Sequence, residues 1–67
     1  MVGQAIKTYL TENGIMQSFL SEKTGIPQPA LSKMLAGTQK IEIMEYYRIC
    51  QALKVDMNKF LPKGAEN

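Results

Sequence analysis

The sequence predicts an all-α domain of five short helices, and three observations predict it. Apolar residues recur at helical spacing in separate stretches: Val2, Ile6, Tyr9 and Leu10 near the start, then Ile43, Tyr46, Tyr47, Cys50 and Leu53. Gly14, Gly25 and Gly37 punctuate the chain where helix ends favour a residue tolerant of positive φ. Of the 67 residues, 45% are apolar, enough for a small helical core and too many for disorder.

The first helix is expected from Val2 to Asn13, with Val2, Ile6, Tyr9 and Leu10 on one face. It is mainly scaffold. Lys7 reads as a solvated charge, with a phosphate contact as the sharper alternative. Asn13-Gly14 stops it, and Ile15 is placed to staple the entry of the next helix. That second helix spans Gln17 to Lys23, with Phe19 and Leu20 inward beside a small Ser21. Gly25 makes the turn and Ile26 plugs it. The third helix runs from about Gln28 to Leu35, placing Leu31, Met34 and Leu35 on one side and Gln28, Pro29, Ser32 and Lys33 on the other.

Gly37 closes the third helix, and the polar loop Gly37-Thr38-Gln39-Lys40 follows. The fourth helix, Glu42 to Leu53, buries Ile43, Tyr46, Tyr47, Cys50 and Leu53, with Ile49 beside them. Glu42 and Glu45 suit the positive end of its dipole and would keep phosphate away. Cys50 reads as a small core residue, a redox role being the minor alternative. A fifth helix is expected over Val55 to Leu61, with Asp56 as its N-cap and Phe60 and Leu61 closing the core. Met57, beside Val55, would stay partly outside as an apolar patch. Pro62 ends the domain, taken as residues 1–62, and 63–67 form a frayed tail.

Met16 to Gly37 has the sequence anatomy of a DNA-binding helix-turn-helix. A steep crossing needs a small residue, here Ser21, and the sharp turn needs Gly25. The second helix of the pair must bury one side and keep its N-terminal outer face polar for the major groove. Gln28 can pair bidentately with adenine, and Lys33 can reach guanine or a phosphate. Pro27 and Pro29 stiffen the entrance to this helix and remove two donors. Either they only fix the turn, or Pro29 with Ala30 also offers an apolar contact to a thymine methyl.

On Gln17, Leu20, Ser21, Gly25, Ile26, Leu31, Ser32, Met34 and Gly37, the chain resembles the lambdoid phage repressor and Cro family. The likeness extends to IMEYYRICQALKVDMNKFL, which is similar to that family's fourth and fifth helices. It implies a compact five-helix, lambda-repressor-like DNA-binding domain. It also implies a phosphate contact at Gln17, and contacts to bases or nearby backbone from Gln28, Pro29, Ser32 and Lys33. Pro27 stands with them at the helix entrance. Thr38, Gln39 and Lys40 would lie beside the DNA backbone. Three positions depart from the family pattern: Ser21 replaces the usual alanine, Met16 the usual Ser or Thr cap, and Pro29 lacks an N–H. Where family members often bury an Arg–Glu pair, this chain carries Leu10 and Leu35, expected in direct contact.

Cys50 is the single cysteine and there is no histidine, which removes an internal disulfide, thiolate-rich zinc and the commonest general base. No metal, cofactor or small-molecule ligand is expected. The chain has no membrane-length apolar run and no secretion signal, so a cytoplasmic location is expected. The net charge of +2 is too mild to argue for nucleic acid by itself. Its distribution leans the right way: Lys7, Lys23, Lys33 and Lys40 face only Glu12 and Glu22 through position 40. The expected function is a sequence-specific, double-stranded-DNA-binding transcriptional regulator, a Cro-like or short repressor on a palindromic operator. It would act as a homodimer meeting around Val55 and Met57. The alternative is an antitoxin or accessory protein-binding module on the same fold. An enzyme is a remote third, for want of a catalytic set.

Overall fold

The computed structural model describes residues 2–61. Its helices are α1, Val2–Glu12; α2, Gln17–Thr24; α3, Gln28–Ala36; and α4, Ile43–Leu53. No strand occurs among the described residues. Packing is between α1 and α3, α2 and α3, and α2 and α4. The core between them is one cluster, built on Ile6, Leu10, Leu20, Ile26, Leu31, Met34, Leu35, Tyr46, Ile49, Cys50, Leu53 and Phe60.

The helices end where the chain supplies a left-handed residue. After α1, the Ile15 N–H bonds the Leu10 carbonyl at 2.8 Å, and the Asn13 side-chain amide bonds the Tyr9 carbonyl at 2.8 Å. After α3, Gly37 at φ 84° lets the Thr38 N–H reach the Lys33 carbonyl at 3.0 Å. The same closure ends α4, but with Lys54 at φ 58° in the role usually taken by glycine. At its other end, the Glu42 N–H donates to Glu45 Oε1 at 2.8 Å, so the expected acidic start of α4 is a capping interaction.

The fifth helix is absent; the described residues hold four. From Asp56 onward the chain makes successive turns. Asp56 Oδ1 accepts from the Asn58 N–H at 2.9 Å, and the Lys59 N–H reaches the Asp56 carbonyl at 2.9 Å. Asp56 therefore forms the side-chain bond of a cap without a helix behind it. The reason is length: a helix needs a costly nucleus before it propagates, and Pro62, with no N–H, follows within two turns. Phe60 closes the core as expected, edge-on to Tyr9 at 5.5 Å between ring centroids. Leu61 does not; it is 40% exposed, because adjacent residues of a turn do not share a face. Pro62 and the tail 63–67 lie outside the described residues.

Other inward assignments also change. In α4, Tyr46, Ile49, Cys50 and Leu53 are buried, whereas Ile43 is 69% and Tyr47 43% exposed. The buried set follows the i, i+3, i+4, i+7 stripe from Tyr46, which turns Ile43 and Tyr47 to one flank. The Tyr46 hydroxyl donates to the Met57 carbonyl, and burial pushes its pKa up to about 12. Burial likewise pushes the Cys50 thiol up, as suits a core side chain. In α2 the inward residues are Leu20 and Thr24, one turn apart, and Phe19 is 43% exposed with the Lys23 ammonium 5.6 Å from its ring centroid.

Gly3 is buried where α1 packs on α3. A Cβ there would collide with the Met34 carbonyl oxygen and lie 3.3 Å from Leu35 Cα. Both obstacles are backbone and cannot rotate away. Gly3→Ala should therefore destabilise the domain by about 1–3 kcal/mol, although alanine usually adds about 0.5–1 kcal/mol to a helix. Urea denaturation measures this, and a variant as stable as the parent would refute the close approach.

Candidate nucleic-acid interface

The turn between α2 and α3 is built from side chains as well as from its glycine. Gly25, at φ 78°, caps α2 by donating its N–H to the Ser21 carbonyl at 2.9 Å. The Thr24 hydroxyl donates to the Leu20 carbonyl at 2.7 Å and accepts from the Ile26 N–H at 3.2 Å. The Ser21 hydroxyl donates to the Ile26 carbonyl at 2.5 Å. Ile26 itself is buried in the core. Ser21 is half-buried, and its hydroxyl binds the chain beyond the turn.

Beyond that anchor, α3 divides cleanly. Leu31, Met34 and Leu35 are buried, while Pro27, Gln28, Pro29, Ser32 and Lys33 are exposed together. Pro27, at φ −55°, occupies the N-cap, and the Leu31 N–H bonds its carbonyl at 2.9 Å. Pro29 sits in the first turn, where a missing N–H breaks no helical bond. At the start of α2, Met16 is extended and gives no side-chain cap bond, although its carbonyl accepts from the Phe19 N–H at 3.1 Å and the Leu20 N–H at 3.3 Å. Gln17 is half-buried at that helix end.

The loop after α3 is less uniform than its composition implies. Thr38 is exposed, and both its N–H, at 3.0 Å, and its hydroxyl, at 3.2 Å, donate to the Lys33 carbonyl. Those donors serve the helix end, which leaves Lys40, exposed, and Gln39, half-buried, as the loop's candidates for a phosphate. Comparison with known families decides the frame for this geometry: a family model described as helix-turn-helix matches residues 6–60. The chain belongs to the helix-turn-helix family. As a helix-turn-helix domain it is a DNA-binding module of the kind found in transcription regulators. No curated protein and no solved structure matched the chain.

Within the helix-turn-helix, α2 is the supporting helix and α3 the recognition helix. The exposed face of α3 carries an amide at Gln28, a hydroxyl at Ser32 and an ammonium at Lys33, with an apolar ring at Pro29. Such a set can hydrogen-bond base edges and meet a phosphate. Val55 and Met57, the expected dimer contact, are half-buried and line a groove of about 400 Å³ with Tyr47, Cys50, Gln51 and Lys54. A groove of about 530 Å³ lies between the loop and α4, lined by Gln39, Lys40, Ile41, Ile43 and Leu61 among others. No helix of the described residues is long and apolar enough to cross a membrane.

Sequence reasoning missed Thr24. A signal was present: a threonine in the last turn before a glycine can bond the carbonyl one turn back and still accept from the turn. Gly3 was missed as well, and nothing local to its sequence marks it, since its neighbour is the backbone of α3.

Proposed function

We propose that the chain is a sequence-specific, double-stranded-DNA-binding transcriptional regulator, a Cro-like or short repressor that docks on a palindromic operator as a homodimer in the cytoplasm. One observation carries this reading: a polar, exposed Gln28–Ser32–Lys33 face on a recognition helix whose other side is wholly buried. In this mechanism the amides at the start of α2 around Gln17, together with Gln39 and Lys40, hold the phosphate backbone and set the register. Gln28 then reads a base, by the bidentate pairing an amide makes with adenine. Two copies are needed because one recognition helix spans too few base pairs, and Val55 and Met57 offer an apolar contact for the second.

The exposed Ile43, Met44 and Tyr47 on α4 favour a second reading, an antitoxin or accessory module that grips another protein. Selection from random duplexes separates the two. A regulator enriches a two-fold-symmetric site, with affinity falling steeply as salt rises. A protein-binding module enriches none. On the enriched operator, Gln28→Ala should cost about 1–3 kcal/mol and leave random duplex nearly unchanged. Lys40→Ala should weaken both and flatten the salt slope by about one unit. Equal losses on operator and random DNA from Gln28→Ala would make Gln28 a backbone contact.

A further inference from the structure

We infer that Ser21 and Thr24 are positioning residues for base reading, acting as a hydroxyl clamp that sets where the recognition helix begins. The inference rests on the DNA reading above and adds residues that do not themselves face DNA. Ile26 is held three ways: its side chain is buried in the core, its N–H is accepted by Thr24, and its carbonyl is occupied by Ser21. Thr24 is the buried polar residue among those described, and its hydroxyl is anchored in turn on the Leu20 carbonyl at 2.7 Å. With the Ile26 carbonyl engaged by Ser21, the first α3 bond to a residue ahead of the helix is from the Leu31 N–H to Pro27. The clamp therefore sets the register of α3 from its first turn. Only Pro27, with its restricted φ, separates the clamped residue from Gln28.

A side chain that reads a base must be held within a fraction of an ångström, and its own rotamer freedom is acceptable only on a fixed backbone. Backbone contacts to phosphate tolerate small shifts, because charge acts at longer range than a bidentate hydrogen bond. Loosening the clamp should thus lower discrimination more than general affinity.

The test uses the full chain and the operator enriched from random duplexes. Ser21→Ala and Thr24→Val should each reduce the ratio of operator to random-duplex affinity roughly fivefold, the equivalent of one hydrogen bond. Thr24→Ser, which keeps the hydroxyl, should retain the parent ratio. In a Gln28→Ala background, Ser21→Ala should change the ratio no further, since the group it positions is gone. A ratio unchanged by both Ser21→Ala and Thr24→Val overturns the inference. So does a parallel loss on both duplexes that follows a fall in melting temperature. A parent chain that enriches no sequence overturns the DNA reading itself, and the inference with it.

Discussion

Leu35→Glu is expected to unfold most of the protein at neutral pH. Leu35 is 0% and Leu10 2% exposed, and both belong to the core where α1 packs on α3. Truncation of either to alanine should cost about 2–5 kcal/mol, a large share of the roughly 5–15 kcal/mol that native proteins have. A glutamate at position 35 adds the desolvation of a charge with no partner in an apolar core. If the two side chains touch, Leu10→Arg added to Leu35→Glu should recover part of the loss by supplying the missing counter-charge. Thermal melts of the two single variants and the double variant decide the matter. A double variant no more stable than Leu35→Glu would show that the two positions do not meet.

Met57→Glu should remove cooperative operator binding, with affinity for the full site falling roughly a thousandfold toward the non-specific level. In the proposed dimer, a two-fold contact brings each copy's residue 57 near its mate, so the substitution places like charges across it. Met57 is suited to such a contact. Its side chain is half-buried on the groove shared with Val55 and Tyr47, while its carbonyl accepts from Tyr46. That hydrogen bond uses backbone and survives the change. Met57→Leu, apolar and of similar size, should bind as the parent does. Sedimentation on and off DNA, with melting curves alongside, measures this. Normal assembly and operator binding by Met57→Glu would place the interface elsewhere.

Much of this architecture is local chemistry, and local chemistry is legible. Gly25 and Gly37 end their helices at φ 78° and 84° because left-handed backbone strongly favours glycine, whatever the surroundings. The stripe Leu31, Met34, Leu35 shows its period within one turn and is buried, which leaves Gln28, Ser32 and Lys33 outside. Where a face is broad, the pattern alone is ambiguous. Ile43, Tyr46, Tyr47 and Cys50 all fit an apolar arc, and only packing on α2 decides that Tyr46 and Cys50 go in while Ile43 and Tyr47 stay out. Phe19 is apolar too, yet the inward direction of α2 is set by Leu20 and Thr24.

The sequence by itself determined the helical class, the place of the turn and the polar face of the recognition helix. Each depends on contacts among residues no more than about one or two turns apart, and such contacts are written in the spacing. Tertiary structure decided the rest. It decided that Gly3 meets the backbone of α3, that Ile43 and Tyr47 stay outside the core, and that Phe60 packs edge-on against Tyr9. A side chain's type says what bonds it can make, but which partner comes within reach is set only when the helices pack.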